Sequence, residues 1–138
     1  AASDVYKRQI VNDGVPYIKL TYKNGIMTGT VERLNKYLIT ELKGSVVNGD
    51  ERGLFEEYDR NEKVVWRGYY RNGRRYSEVV KGRRGGRWYE ERSVENRELL
   101  SIAEYDEGLH DKNGRCMEYE NGEWVGEWMY ESGVKGGV

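Results

Sequence analysis

The 138 residues include one proline, one cysteine, one histidine and one phenylalanine, and each scarcity removes an option. A lone Cys116 cannot close an internal disulfide, which excludes a disulfide-stapled secreted scaffold and points to a reducing, cytoplasmic setting. With only His110 and Cys116 available, a zinc site would need two further ligands from carboxylates, so His110 is read as a surface-loop residue. The same two side chains lack an orienting third group for nucleophilic catalysis. Asp111, Lys112 and Asn113 open like a calcium loop, yet Arg115 and Cys116 stand where an oxygen ligand and the turn glycine belong. Residues 82–86 have neither the spacing of a phosphate loop nor a following helix. No run of about 18 apolar residues exists to span a bilayer as a helix. Neither enzymatic activity, nor a cofactor, nor a metal is expected.

Hydrophobic residues are only 37% of the chain, a thin supply for a layered core. The apolar area is instead carried by twelve tyrosines and four tryptophans, beside eighteen glycines. Aromatic strands punctuated by glycine suit a half-wet pleated sheet, and the fold class is read as all-β. The net charge of -1 hides an asymmetry. Residues 67–87 carry eight basic groups against one acidic, whereas residues 90–131 carry thirteen acidic against four basic.

Asn-Gly, the dipeptide best suited to a type I′ hairpin turn, lies between candidate strands at Asn24-Gly25, Asn48-Gly49, Asn72-Gly73 and Asn121-Gly122, and a fifth copy, Asn113-Gly114, falls in a polar stretch. A two-residue turn fixes the register of its strands. Around Asn24-Gly25 it predicts Tyr22 opposite Met27, Leu20 opposite Gly29 and Ile18 opposite Val31, on the apolar face. The polar face has Thr21 opposite Thr28, Lys19 opposite Thr30 and Tyr17 opposite Glu32. Around Asn72-Gly73 it predicts Trp66 opposite Val79, Gly68 opposite Ser77 and Tyr70 opposite Arg75, with Arg67 and Tyr69 opposite Glu78 and Tyr76. Around Asn121-Gly122 it predicts Tyr119 opposite Trp124, Met117 opposite Gly126 and Arg115 opposite Trp128. Turn-like tetrads recur about every twelve residues, as a meander or solenoid requires.

Two segments admit two readings. Leu34, Tyr37, Leu38 and Leu42 fall at helical spacing, but the turn at residues 34–37 is in phase with the other tetrads, and a strand is preferred. Residues 93–106 read as a hairpin turning at Asn96-Arg97, or as a helix capped by Ser93. Residues 106–114 read as a polar connection. Residues 1–9 lack the apolar run of a signal peptide, and residues 3–9 (SDVYKRQ) resemble a translated sequencing adapter. They are read as a non-native leader to a repeat array over residues 10–138, truncated at its C-terminus.

Trp66-x-Gly68-x-Tyr70, followed by Arg71-Asn72-Gly73 and the pair Arg74-Arg75, resembles the MORN repeat, whose unit runs aromatic-x-Gly-x-aromatic, basic-Asn-Gly, basic pair. Trp124-x-Gly126-x-Trp128 repeats the strand portion, while Tyr76 and Ser77 depart from the usual further glycine. The resemblance covers about half the chain. It implies an elongated single-layer antiparallel meander of hairpins without catalysis, serving as a scaffold or protein-interaction module, or attaching to acidic phospholipids. Tyr-x-Asn-Gly repeats also resemble a bacterial antitoxin-like group, and residues 22–29 resemble aromatic-glycine cell-wall-binding hairpins.

Trp66, Gly68, Tyr70, Trp124, Gly126 and Trp128 are expected to pack between hairpins, because a single sheet has little else to bury. The candidate contacts for an external anion or protein are Arg67, Tyr69, Arg71, Arg74, Arg75, Tyr76, Lys81, Arg83, Arg84 and Arg87. A protein partner or a second copy of the chain ranks first, then an acidic membrane surface. Nucleic acid ranks last, since the acidic second half would repel a long polyanion.

Overall fold

The computed structural model describes residues 5–10, 18–23 and 26–136. Twelve strands and no helix occur among them, so the helical alternatives for residues 34–44 and 93–106 fall away. The chain divides into two compact units, Ala1–Gly73 and Arg74–Val138. The first contains β1 (Val5–Ile10), β2 (Ile18–Lys23), β3 (Ile26–Leu34), β4 (Thr40–Val47), β5 (Asp50–Tyr58) and β6 (Val64–Arg71). The second contains β7 (Arg74–Lys81), β8 (Trp88–Ser93), β9 (Leu99–Tyr105), β10 (Lys112–Glu120), β11 (Glu123–Glu131) and β12 (Val134–Gly136). Each unit is a single-layer antiparallel meander in which strands adjacent in sequence are adjacent in the sheet.

Two kinds of turn make the meander. Asn48-Gly49, Asn72-Gly73 and Asn121-Gly122 have positive φ at both central residues, with asparagine at 52°, 53° and 52° and glycine at 84°, 75° and 81°. Glycine takes these angles without a Cβ clash and asparagine tolerates them, which is why this dipeptide reads so clearly. Asn24-Gly25 lies outside the described residues. The longer turns are closed by a side chain. Asn35 Oδ1 accepts from the backbone N–H of Tyr37 (2.8 Å) and Ile39 (3.1 Å). Asp59 Oδ1 does the same for Asn61 and Lys63, at 2.8 and 3.0 Å. Asp106 Oδ1 accepts from His110 at 2.7 Å. Such Asx turns explain residues 34–42: Leu34 ends β3, the turn intervenes, and Leu42 lies in β4, so their helical spacing is incidental. The turn at residues 93–98, with Asn96 Oδ1 accepting from Glu98 N–H at 3.0 Å, makes the expected hairpin of β8 and β9.

Register follows the turn arithmetic only near the turn. Tyr22 is the partner of Met27 as expected, but the ladder then shifts, and Leu20 meets Val31 while Ile18 meets Arg33. Gly29, at φ 129°, sits in this irregularity. Gly53 at φ 68° and Gly114 at φ 115° occupy matching shifts in β5 and β10. A bulged backbone in this region favours glycine. The third hairpin behaves likewise: Tyr119 meets Trp124, yet beyond a shift Glu118 meets Gly126 and Cys116 meets Trp128. Those pairs replace the expected Met117 with Gly126 and Arg115 with Trp128. The bulge at Gly114 also lets β10 begin at Lys112, inside the expected polar connection.

With no second layer, burial comes from neighbours on one face. In the first unit Leu34, Leu42, Val46, Phe55 and Trp66 are all buried. The Phe55 ring lies where a Cβ on Gly44 would have to be, and it stacks on Tyr70 with centroids 4.7 Å apart. Trp66 meets Tyr70 edge-on at 5.7 Å, and Gly68 is the strand partner of Phe55. Burying a phenylalanine this fully, at 2% exposure, stabilises by a few kcal/mol. In denaturant titrations, Gly44→Ala is expected to cost about 1–3 kcal/mol and Phe55→Ala about 3–5 kcal/mol. The double variant is expected to cost clearly less than the sum, because the clash disappears with the ring; strict additivity would show that the two do not share space.

Candidate functional site

In the first unit the face opposite Phe55 carries a charge ladder. Glu32, Lys43, Glu56 and Arg67 are successive strand partners across β3, β4, β5 and β6. Lys43 Nζ lies 4.0 Å from Glu32, and Arg67 Nε lies 2.9 Å from Glu56. Arg67, a candidate for an external anion, is therefore already engaged by a carboxylate. Each such half-exposed pair is worth little alone, about 0–1 kcal/mol. Tyr69 is half-buried and Arg71 exposed on the same strand.

The remaining candidates belong to the second unit. Arg74, Arg75 and Lys81 are exposed along β7, and Tyr76 is half-buried with its carbonyl accepting from Val94 N–H at 3.1 Å. Arg87 lies 3.9 Å from Glu104. Arg83 and Arg84 sit in the turn between β7 and β8. That turn is closed by Gly82 N–H to the Trp88 carbonyl (2.9 Å) and Trp88 N–H to the Gly85 carbonyl (3.2 Å). Gly85 and Gly86 supply the positive φ angles, 72° and 57°, that bend it back. The Arg84 guanidinium rests over the Trp88 ring, 4.6 Å from its centroid.

The turn and the strand that follows enclose a groove of about 390 Å³ lined by Arg83, Arg84, Glu90, Arg92 and Ile102. Glu90 and Ile102 are strand partners, and Arg92 shares their face. Arg92 is held from both sides, donating to Glu90 Oε1 (3.2 Å) and to the Arg97 carbonyl (3.3 Å). Three guanidiniums from two elements thus line one groove with Ile102 and Glu90, and Glu78 on β7 is the strand partner of Arg92. The sequence cluster stops at Arg87 and misses Arg92, Glu90 and Ile102; a two-residue turn at Asn96-Arg97 would put Ile102 opposite Glu91, and the longer turn observed puts it opposite Glu90.

Among the expected packing residues, Trp66 and Gly68 are buried, Tyr70 is stacked, and Trp128 is half-buried under Lys135, whose Nζ is 4.1 Å from its centroid. Gly126 lies half-buried beside Trp128. Trp124 departs from expectation, at 60% exposure. Trp124 meets Tyr119 as expected, but the register shift just past it leaves this pair on the face away from Cys116 and Trp128.

The Cys116 face holds a polar cluster with no sequence signal. Glu91, 8% exposed, accepts from Ser77 Oγ (2.7 Å), Ser101 Oγ (3.0 Å) and Lys112 Nζ (3.2 Å), which arrive from β7, β9 and β10. Lys112 Nζ also faces the Tyr130 ring, 5.3 Å from its centroid, and Tyr130 donates to Glu118 at 3.3 Å. Burial pushes the Cys116 thiol up from its ordinary range, and Glu118 and Glu91 add to it. Burial likewise pushes the Tyr130 hydroxyl up, with Cys116 and Glu118 contributing.

Lys112→Met would strand a buried carboxylate and is expected to cost about 3–5 kcal/mol by denaturant titration, with much of the loss recovered in Glu91→Leu/Lys112→Met. Both raised groups favour the protonated folded form. Stability is therefore full below the unfolded pKa values and is expected to fall as pH climbs past about 9–10, with native Cys116 alkylating no faster than the protein unfolds. Rapid native-state alkylation at neutral pH would contradict the burial. Comparison with protein-family models, with curated proteins and with solved structures gives no match.

Proposed function

We propose that the chain is a MORN-like repeat acting without catalysis as a protein-interaction module, and that it associates with further copies of itself through the outer face of the second unit. The supporting observation is a set of large apolar side chains left exposed among the charged residues of that face. Trp124, Met129 and Val134 stand 60%, 49% and 63% exposed and Tyr119 and Met117 half-exposed; Trp124 pairs with Tyr119, while Met117, Met129 and Val134 have Glu127, Arg115 and Glu131 as strand partners. Large apolar side chains grouped on a face are what an interface buries and what a solvated face avoids. A second copy suits this face because one chain supplies both signs of charge, a basic stretch at 67–87 and an acidic one at 90–131.

The MORN-like reading is supported by recurrence in the fold of the first unit. Gly53 repeats the bulge of Gly29, Asp59 repeats the Asx turn of Asn35, and Asn72-Gly73 repeats Asn48-Gly49. Within the face-to-face rows, Gly44 and Gly68 both lie buried beside Phe55.

Light scattering over a range of protein concentrations tests the association. Mass is expected to rise with concentration for the wild type and to return to that of a monomer for Trp124→Lys/Met129→Lys. A wild type that stays monomeric at every concentration would remove the homotypic reading.

A further inference from the structure

The groove between the 82–87 turn and β8 goes beyond self-association, because its chemistry is that of a small-anion site. We infer that Arg83, Arg84 and Arg92 bind a phosphomonoester dianion over Ile102. The charge count sets the class: Arg92 is answered by Glu90 and stands opposite Glu78 on β7, whereas the two charges of Arg83 and Arg84 are unanswered. A phosphomonoester carries about -1.5 to -2 at neutral pH and offers three acceptor oxygens to planar guanidinium donors. A single carboxylate would leave half the charge unanswered.

The site is built before a ligand arrives. Among the described residues neither Arg83 nor Arg84 has a carboxylate within ion-pair distance, while Arg84 is steadied by the Trp88 ring. Arg92 spends two donors on Glu90 and the Arg97 carbonyl and keeps the others, since a guanidinium has five. The volume of about 390 Å³ fits a phosphate with a short carrier, and Ile102 provides an apolar floor for the carrier's carbon atoms.

Location argues for a small ligand over a membrane surface. The basic residues lie in a concavity, and the strands that follow belong to the stretch with thirteen acidic groups against four basic. An extended anionic surface would meet those carboxylates, whereas a phosphate inside the groove is shielded from them beyond about 8–10 Å. The phosphate can be carried by a protein side chain or by a soluble organic molecule, and the two are separable by measurement.

Calorimetric titration of the whole chain with a phosphoserine peptide, its unphosphorylated twin and glycerol phosphate tests the site. Binding of the phosphorylated probes alone is expected, weakening about tenfold in Arg83→Ala/Arg84→Ala. It is also expected to weaken as pH falls through about 6, where the phosphate takes up its second proton. A tighter peptide assigns the site to a phosphorylated side chain, and equal affinities assign it to the phosphate itself. Arg74→Ala/Arg75→Ala, outside the groove, is expected to bind normally, and equal weakening there would reduce the effect to net charge and overturn the site. Equal affinity for the unphosphorylated peptide, or pelleting only with phosphatidylserine vesicles, would also overturn it. Trp124→Lys/Met129→Lys is expected to retain phosphate binding, so failure of the association reading and failure of the groove are read separately.

Discussion

The contact between the Phe55 ring and the bare backbone of Gly44 decides what the first unit can be. A single-layer sheet has no opposing layer to cover its inner face, so a ring on one strand has to lie down over the next. That needs a neighbouring position without a Cβ, and β4 provides it at Gly44. Once Phe55 lies flat, Tyr70 can stack on it and Trp66 can meet Tyr70 edge-on. Gly68 opposite Phe55 continues the same pattern one strand further. The order of dependence runs from glycine to ring to the next ring, which is why aromatic residues and glycines occur together in this composition.

The second unit meets the same shortage of cover with polar groups. Its face collects Ala103, Cys116 and Tyr105 around the Glu91 carboxylate, which takes donors from β7, β9 and β10. A buried carboxylate is costly unless its oxygens are occupied, and here three donors from three strands occupy them. Such an arrangement is intolerant of slippage. Moving β9 by one residue would turn Ser101 away from Glu91 and bring Leu100 or Ile102 to a charged oxygen. Aromatic packing stabilises without fixing register so sharply, so the two units place their specificity in different chemistry.

What could be read from the residues divides along the same physical line. Turns that need positive φ carry their own chemical signature, and Asn48-Gly49, Asn72-Gly73 and Asn121-Gly122 were legible for that reason, as was the all-β class. Pairs beside the turns followed, as with Tyr119 and Trp124. Pairs farther along did not, because a bulge at Gly29 or past Trp124 shifts the ladder, and a glycine within a strand looks the same whether it makes room for a ring or bends the backbone. Gly44 does the first and Gly53 the second. The Glu91 cluster was not legible because its members are dispersed along the chain and two of them are serines, which mark nothing alone. The basic residues were visible as a run, but their grouping depended on which strands adjoin.

The outer faces show why the groove lies where it does. In the first unit, opposite charges alternate across strands, so Glu56 can engage Arg67 on its neighbour and Lys43 stands opposite both Glu32 and Glu56. Register alone neutralises that face. In the second unit the partners on β9 are Ile102 and Leu99, which offer β8 no charge, and Arg92, opposite Glu78 on β7, bonds to Glu90 on its own strand. One carboxylate is thereby consumed along the strand instead of across it. The turn that precedes β8 then brings Arg83 and Arg84 over a strand pair with no carboxylate left for them. Unanswered positive charge is a consequence of that substitution of apolar for acidic residues on β9, and it is confined to the space above Ile102. A single acidic replacement there, Ile102→Glu, would extend the ladder logic of the first unit into the second and close the groove to anions.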